Sequence, residues 1–235
     1  MEKLCKKGTG KASGFDGCLQ RKERHKYGLC KDCFSKWISN TESGQKFLKS
    51  NVIPQAKKKV KSEKQRQRKQ DRIKLMSIDE YRKRELQPVI NEIVRIIDYG
   101  QPCIAQPNQK GTDAGHFISV GSNRTLALHL HNIHLQSRDS NSYKGGDDLA
   151  YYKGLIRTYG KEYAEWCDSL RQIKPIKLTK AELIEARNRA MEFRKELRKE
   201  TILSPEQRIE LRNAGNNYLG LYPQKYMEYE QKRNR

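Results

Sequence analysis

The sequence lacks the two kinds of apolar segment that direct proteins to membranes. It has no run of about 18 apolar residues, the length that spans a bilayer. Its opening residues, MEKLCKKGTG, lack the apolar stretch of a signal peptide. Only 35% of the 235 residues are hydrophobic and 33% are charged, which is too little apolar surface for one core along the whole length. We therefore expect a cytoplasmic protein, without a membrane partner, made of modest modules joined by solvated helices.

Acidic residues are too few to balance the basic ones. Asp and Glu number 28 against 49 Lys and Arg, which gives a formal net charge of +21. Such an excess repels itself, and nucleic acid is the polyanion that relieves it best. An anionic membrane surface, or no more than solubility, is the alternative. Aromatic residues make up only 8% and form no RRM-like signature, so the sequence does not indicate stacking on single strands.

Cysteine is scarce outside the first 33 residues, which hold four of the six. Cys30 and Cys33 are separated by two residues, a spacing that lets two thiolates chelate one tetrahedral Zn²⁺. Cys5 and Cys18 are available as the other two ligands, and His25 is a substitute. Disulfides are the weaker explanation in a reducing compartment. The sequence therefore predicts a structural zinc in a zinc-ribbon-like module at residues 1–50.

Residues 51–76 form a basic segment without an apolar stripe. Ten residues from Lys57 to Lys74 are Lys or Arg, opposed by Glu63 and Asp71 alone. A solvated helix or a disordered tether explains this composition, and either form is compatible with an arm that follows DNA phosphates. The expected phosphate contacts in this arm are Lys57, Lys58, Lys59, Lys61, Arg66 and Arg68.

Two later segments carry helix signals. The first opens with a capping box, Ser77 with Glu80, and ends near Gly100, while Pro88 is expected to break or kink it. The second opens with a capping box at Thr179. Apolar residues recur at helical spacing in both: Ile90, Ile93, Val94 and Ile97 in the first, and Leu183, Ala186, Ala190, Phe193 and Leu197 in the second. We interpret the first stripe as core and the second as a candidate seam for a homodimer.

Between these helices the pattern changes to short extended pieces. In RTLALHLHNIH, Leu126, Leu128 and Leu130 alternate with polar positions that include His129 and His131. This alternation predicts a half-buried strand with its histidines on the surface.

Polar residues shape the last part of the chain. Asp147 or Asp148 is expected to cap the helix LAYYKGLIRTYG. Residues 203–235 are rich in polar and basic side chains, and we expect them to form a mobile tail.

The stretch TDAGHFIS, residues 112–119, admits two interpretations. Asp and Gly are common in turns, so it can be a turn that happens to contain a histidine. Alternatively it is half of a ββα-metal (HNH) nuclease site, in which His116 is the general base on water and Asp113 binds one divalent cation, Mg²⁺ or Mn²⁺. In that site Asn132 ties the loop and completes the catalytic set, and Asn141 is the second metal ligand.

Two segments, QPCIAQPNQKGTDAGHFISV and NIHLQSRDSNSYKGG, resemble the NinG/Rap recombination nucleases of lambdoid phages. The resemblance extends from about Ser77 to Glu200 and includes the upstream cysteines and basic linker. It implies an α+β, mainly helical fold, with a small ββα-metal core and flanking helices at residues 77–202. It also implies a metal-dependent endonuclease of phage or prophage recombination that cleaves D-loops and Holliday junctions in a bacterial host cell.

One part of the family pattern is missing. Family members have one Cys-x2-Cys pair before the DAGH element and another at the start of the following helix, and these pairs bind a structural zinc. Cys103 matches the first position, but the other three are Gln106, Ser137 and Ser140. Amides and hydroxyls are poor zinc ligands. We therefore expect one zinc per chain, in the N-terminal module, and a nuclease site held by hydrophobic packing.

The sequence indicates further phosphate contacts, and it leaves two alternatives to a nuclease function. Arg124 and Lys144 are expected to contact DNA phosphates, and His134 either does so or caps a strand. The intact site residues favour a working nuclease. A DNA-binding recombination accessory protein with a vestigial site is the alternative, and a zinc-ribbon transcription factor is a more distant one.

Overall fold

The chain consists of two units, Met1–Leu75 and Met76–Arg235. The computed structural model describes residues 2–142, 147–197 and 199–230. Helices hold most of these residues, and the described strands form two antiparallel pairs. The prediction of a mainly helical α+β fold is therefore confirmed. Within the described ranges, no helix has the length and apolar character needed to cross a bilayer.

The first unit consists of a short strand pair followed by helices. Its elements are β1 (Glu2–Leu4), β2 (Arg21–Glu23), α1 (Lys31–Asn40), α2 (Glu42–Phe47), a π-helical turn (Leu48–Val52) and α3 (Ile53–Leu75). β1 and β2 are antiparallel, with Lys3 opposite Lys22. The aromatic rings of Phe34, Trp37 and Phe47 pack together beside the buried cysteines and form a small core.

Helix α3 contains the basic segment and buries none of its residues. Of the two predicted forms of this segment, the structure has the solvated helix. The segment has no apolar stripe to pack against a core, so its helical form gains little from burial and leaves its cationic side chains in solvent.

The second unit is built around one strand pair. Its elements are α4 (Ile78–Tyr81), a π-helical turn (Arg82–Leu86), α5 (Gln87–Ile97), β3 (Asp113–His116), β4 (Ile133–Gln136), α6 (Arg138–Ser142), α7 (Asp148–Tyr159), α8 (Lys161–Ser169), α9 (Lys180–Glu196), α10 (Pro205–Leu219) and α11 (Gln224–Met227). Helix α5 contacts both strands, and α9 and α10 contact α5.

The helix starts of this unit follow the local signals. Ser77 and Glu80 form the predicted capping box, with the Glu80 amide 3.2 Å from the Ser77 hydroxyl. Thr179 opens α9 with the second box, and Asp147 caps α7. Pro88 lies in the first turn of α5, directly after the π-helical turn Arg82–Leu86, and the chain is helical on both sides of it, so the proline does not break the helix.

Residues 124–132 are not the predicted strand. They form two 3-10 turns, Arg124–Leu128 and Leu130–Asn132, and the strand β4 begins only at Ile133. The alternation of apolar and polar residues gave a wrong prediction because the segment is buried on both sides. Leu126 and His129 are both fully buried. The prediction of surface histidines is wrong for the same reason.

The predicted mobile tail from residue 203 is also wrong for Pro205–Leu219, which is helix α10. This helix buries polar residues, among them Arg208, Arg212 and Asn216. The guanidinium of Arg212 donates to both oxygens of buried Asp98, at 2.8 and 2.7 Å. These three polar residues of α10 therefore reflect buried partners rather than exposure to solvent.

The apolar stripe of α9 packs within its own chain. Its buried residues belong to a helix that contacts α5 and α10. The candidate dimer seam is therefore wrong, because these side chains are already covered. A homodimer stays a prediction without a surface assigned to it.

Candidate functional site

Four cysteines of the first unit converge on one point. The Sγ atoms of Cys5, Cys18, Cys30 and Cys33 all lie within 4.8 Å of one another, and those of Cys18 and Cys30 are 3.9 Å apart. Thiolates around a tetrahedral Zn²⁺ with Zn–S bonds of about 2.3 Å are roughly 3.8 Å apart, so the cluster fits a zinc ion. In the described part of the chain, no other group of three or more Cys, His, Asp or Glu side chains converges in this way.

A loop returns Cys18 to the side of Cys5. The amide of Leu19 donates to the carbonyl of Cys5, and the amide of Cys5 donates to the carbonyl of Gln20, both at 2.9 Å. Gly17 permits this approach, because a Cβ at that position would lie 2.8 Å from the Cys5 sulfur. The long gap between the first two cysteines therefore closes through backbone pairing.

The second cysteine pair lies at the start of α1. Cys30 is the N-cap, and its amide donates to the Cys5 sulfur at 3.2 Å. A hydrogen bond from the Cys33 backbone lowers the pKa of the Cys30 thiol to about 7, and burial raises the pKa of the Cys33 thiol to about 12. His25, the substitute ligand, packs its ring against Phe34 at 4.9 Å between centroids and is outside the cluster.

The DAGH stretch is strand β3, so its interpretation as a turn is wrong. β3 runs antiparallel to β4, with Asp113 opposite Gln136, and α6 follows β4. A Cβ on Gly115 would lie 1.7 Å from Oε1 of Gln136 and 2.9 Å from Oδ1 of Asn141. The glycine therefore leaves room for both side chains against β3. Positions 113 and 115 share one face of the strand, which is the face that Asn141 approaches.

His116 ends the strand with a fixed tautomer. Its Nε2 lies 2.9 Å from the carbonyl oxygen of Ala127. A carbonyl can only accept a hydrogen bond, so in the neutral ring Nε2 carries the proton and Nδ1 is the basic nitrogen. Burial lowers the pKa of His116 below its usual value, although the hydrogen bond with the Ala127 carbonyl raises it, and the charge of Arg82 adds to the lowering. The side chain is thus a neutral imidazole near pH 7, the form that a general base requires.

Asn132 closes the loop between the two strands. Its Oδ1 accepts from the Ile118 amide at 2.7 Å, and its Nδ2 donates to the carbonyls of Ile118 and Leu126 at 3.0 and 3.1 Å. The amide is buried and all its donors and its acceptor are used within the loop. This is the loop-tying position that the sequence predicts, and it fixes Ala127 opposite His116.

Hydrogen bonds hold together the corner formed by Cys103, Gln106, Ser137 and Ser140. The Cys103 sulfur accepts from the Gln106 amide at 3.3 Å, and the Ser140 amide donates to the Ser137 hydroxyl at 3.2 Å. Burial raises the pKa of the Cys103 thiol, but backbone hydrogen bonds from Ser137 and Gln106 outweigh it and leave the pKa below its usual value. One thiol, two hydroxyls and backbone amides hold this corner together.

Three histidines that sequence reasoning placed near DNA or solvent are core residues. His134 is 1% exposed and bonds the Tyr151 hydroxyl through Nδ1 at 3.0 Å, so its interpretation as a phosphate contact is wrong. His131 bonds the hydroxyl of Tyr163 and the side chain of Asn213, both at 2.9 Å. Burial lowers the pKa of His131 and His134 well below 6.5, so both rings are neutral and inaccessible.

The other predicted DNA contacts are on exposed surfaces where they are described. The six basic residues of the arm are all exposed on α3. Arg124 is exposed too, and its guanidinium lies 2.7 Å from Asp79. Lys144 lies outside the described residues.

Sequence reasoning missed two arginines of the second unit. Arg212 was assigned to the tail, and no local pattern marks its partner Asp98. Arg82 lies in a charged run, but it is four residues before Leu86 and eight before Ile90, so it continues the buried face of the helix. That spacing was the available signal.

Comparison with protein families gives one match. Residues 18–200, well over half of the chain, match the family model described as Bacteriophage Lambda NinG protein. The comparisons with curated proteins and with solved structures return no match. The matched region contains the β3–β4 pair, α6 and three of the four clustered cysteines.

Proposed function

The chain belongs to the NinG family, and from that premise we propose that it is a divalent-metal-dependent endonuclease that cleaves branched DNA, such as D-loops and Holliday junctions. Family membership suggests a recombination-related function in a phage. The strongly basic composition supports DNA as the partner, since a formal charge of +21 favours a polyanion.

One observation carries the catalytic part of the proposal. His116 stands at the end of β3 as a neutral base with Nε2 held by the Ala127 carbonyl, and Asn141 of α6 approaches the same strand at Gly115. The order of two antiparallel strands and a helix supports a ββα-metal site in this proposal, with the base on the strand. Asp113 lies two residues before Gly115, on the face of β3 toward Asn141, whereas His116 follows Gly115 as the last residue of the strand, on the alternate face.

The reaction that these residues support is phosphodiester hydrolysis. Nδ1 of His116 takes a proton from water, and the resulting hydroxide attacks phosphorus. The bond to the 3′-oxygen breaks, and that oxygen takes up a proton from solvent. Asp113 and Asn141 offer carboxylate and amide oxygens, which suit Mg²⁺ or Mn²⁺. When bound, the cation supplies positive charge that stabilises the leaving oxygen.

The basic arm supplies affinity rather than chemistry in this proposal. The arginines and lysines of α3 are exposed to solvent. Their side chains can contact a phosphate backbone without uncovering any buried residue of the helix. Arg124 and Lys144 are proposed as additional phosphate contacts of the second unit. The zinc module is proposed to act as a further support for the DNA.

Single substitutions at the site test the proposal. His116→Ala should reduce cleavage of a labelled four-way junction by roughly 10²–10⁴-fold, because the proposed general base is removed. Asp113→Ala and Asn141→Ala should weaken the dependence on the divalent cation, so a raised Mn²⁺ concentration restores part of the rate. Junction binding without metal should persist in all three variants. Asp139→Ala is the matched control, since this exposed carboxylate on α6 has no proposed role.

The binding-only alternative predicts a different result. A wild-type protein that binds junctions but leaves linear, forked and four-way DNA uncut with both Mg²⁺ and Mn²⁺ would be an accessory protein with a vestigial site. A folded His116→Ala protein that cuts at the wild-type rate would equally contradict the proposed mechanism.

A further inference from the structure

The side chain of Gln136 lies on the same face of the β3–β4 pair as the proposed metal ligands. Gln136 is directly opposite Asp113 in the antiparallel register, and residues paired in this way have Cβ atoms about 5 Å apart on one face of a sheet. Gly115, two residues further along β3, shares that face. These three positions therefore line one surface, and Asn141 of α6 approaches it.

Two amide oxygens meet over Gly115. A Cβ built on this glycine would lie 1.7 Å from Oε1 of Gln136 and 2.9 Å from Oδ1 of Asn141. Both distances are measured from one point, so the two oxygens are at most about 4.6 Å apart, a range that includes the roughly 3 Å between neighbouring oxygen ligands of one Mg²⁺. The spacing of the two oxygens is therefore compatible with one shared ion.

The oxygen of Gln136 is available for such a role. The residue is 1% exposed, and its Nε2 lies 3.4 Å from the Ser140 hydroxyl. No described residue donates a hydrogen bond to its Oε1. A buried carbonyl oxygen requires a partner, and a cation is a suitable one. Asn141 is exposed and Asp113 is half-buried, so an ion can reach the oxygen from their side.

We propose that Gln136 is a third protein ligand of the divalent cation and binds it through Oε1, beside the carboxylate of Asp113 and the amide oxygen of Asn141. This inference rests on the proposed nuclease function, because it concerns the metal site of that function. One carboxylate and two amide oxygens form a hard donor set that suits Mg²⁺ or Mn²⁺. Water and phosphate oxygens of the DNA are left to fill the other positions of an octahedral ion.

The single carboxylate determines the strength of this site. Asp113 is the one formally charged member of the three ligands, and affinity for a cation rises with the number of charged ligands. We therefore expect weak binding without DNA, with a Kd on the order of 1 mM. Gly115 contributes to the site as well, because a methyl group at this position would displace Oε1 of Gln136.

Mn²⁺ binding by the full chain, without DNA, tests the role of Gln136. EPR measures free Mn²⁺ during the titration. Gln136→Met keeps the length of the side chain but removes the oxygen, so it should weaken binding by at least about tenfold. Gln136→Glu places a charged oxygen at the same point and should strengthen binding by about tenfold. Gly115→Ala should weaken binding as Gln136→Met does.

Gln106→Met is the matched control. Gln106 belongs to the same unit, and its Oε1 is also buried without a hydrogen-bond partner. The Mn²⁺ affinity of this variant should equal that of wild type. A zinc content of one per chain in every variant excludes an effect on the cysteine cluster, and unchanged emission of Trp166 shows that the second unit is folded. If Gln136→Met does not fold, Gln136→Glu and Gly115→Ala decide the question.

Two results would overturn the ligand role. One is equal Mn²⁺ affinity in wild type and Gln136→Met, or a wild type that binds no Mn²⁺ up to about 10 mM. The other is binding that is weakened in Gln136→Glu as much as in Gln136→Met, because the amide would then act only through its hydrogen bond with Ser140.

Cleavage assays distinguish this inference from the nuclease proposal. A wild type that binds Mn²⁺ through Gln136 but never cleaves a four-way junction would overturn the nuclease and keep the metal site. Cleavage that requires His116, but that Mn²⁺ supports equally in wild type and Gln136→Met, would overturn the role of Gln136 and leave the nuclease standing.

Discussion

Two cysteine-containing corners of this protein hold their chain segments together by different means. In the first unit the sulfur atoms of Cys5, Cys18, Cys30 and Cys33 converge within 4.8 Å and fit a zinc ion. In the second unit Cys103 is alone, and its sulfur accepts a backbone hydrogen bond at 3.3 Å. Metal coordination and hydrogen bonding are thus two alternative ways to hold neighbouring chain segments together.

The size of the surrounding core explains the difference. The first unit buries a small cluster centred on Phe34, Trp37 and Phe47. The second buries many more apolar side chains, together with the Asp98–Arg212 ion pair that joins α10 to the end of α5. A small core gains much of its stability from a metal, whereas a larger one can hold chain segments together by packing and hydrogen bonds alone.

The largest expected effect is on the first unit when zinc is removed. Cys33→Ser, or chelation, should unfold this unit, because structural zinc contributes on the order of 10 kcal/mol to folding. Trp37 lies in the first unit and Trp166 in the second, so each unit has its own fluorescent reporter. Emission of Trp37 should shift to the red while that of Trp166 stays unchanged. Cys103→Ser is the control and should keep one zinc per chain.

The second largest effect is expected when the buried ion pair of the second unit is broken. Arg212→Met leaves the Asp98 carboxylate buried without its partner and should cost about 3–5 kcal/mol. Urea unfolding followed by Trp166 measures this loss, while the zinc content stays at one per chain. The double variant Asp98→Asn with Arg212→Met should recover part of the stability. A loss of zinc in Arg212→Met would contradict the independence of the two corners.

Acid should affect the second unit through its buried histidines. Burial lowers the pKa of His129 from 6.5 to about 4. The unfolded chain therefore binds a proton that the folded chain excludes, so stability is full above about pH 6.5 and is lost as the pH falls toward 4. For His129 alone the loss approaches about 3 kcal/mol. Urea unfolding followed by Trp166 from pH 7 to 5 should show this slope, reduced in His129→Asn. An equal slope in that variant would exclude His129 as the cause.

The smallest effect is expected from a variant in which the second corner also binds zinc, so that the two corners no longer differ. The variant Gln106→Cys, Ser137→Cys, Ser140→Cys should bind a second zinc, because Cys103 already contacts Gln106 and Ser137. After chelation, its second unit should stay folded and lose only about 1 kcal/mol for each hydrogen bond removed. Zinc analysis and Trp166 fluorescence check both points. Unfolding of the second unit on chelation would show that its core does not replace the metal.

Local signals in the sequence predicted several elements correctly. The four cysteines, the capping boxes at Ser77 and Thr179, and the apolar stripe of α5 all depend on residues close together in the chain. Because a capping hydrogen bond or a helical stripe involves neighbours a few positions apart, spacing alone reveals it. The loop-tying position of Asn132 also followed from a short motif.

The errors share one physical origin. Residues 124–132 and α10 were assigned to a half-exposed strand and a mobile tail because they contain histidine, arginine and asparagine. In the structure these polar groups are buried and paired with distant residues, as Arg212 is with Asp98 and His129 with the Tyr226 carbonyl. A polar side chain has the same identity in solvent and in a satisfied core, so composition cannot separate the two cases.

The sequence by itself determined the cationic character of this protein, its clustered cysteines, its helix starts and the presence of Asp113, His116 and Asn141. The tertiary structure alone decided which polar groups are buried, which nitrogen of His116 is basic, and that the amide oxygen of Gln136 lies against Gly115. The reason is distance along the chain. Partners such as Asp98 and Arg212 are 114 positions apart, and only folding selects them from the many pairs that the composition allows.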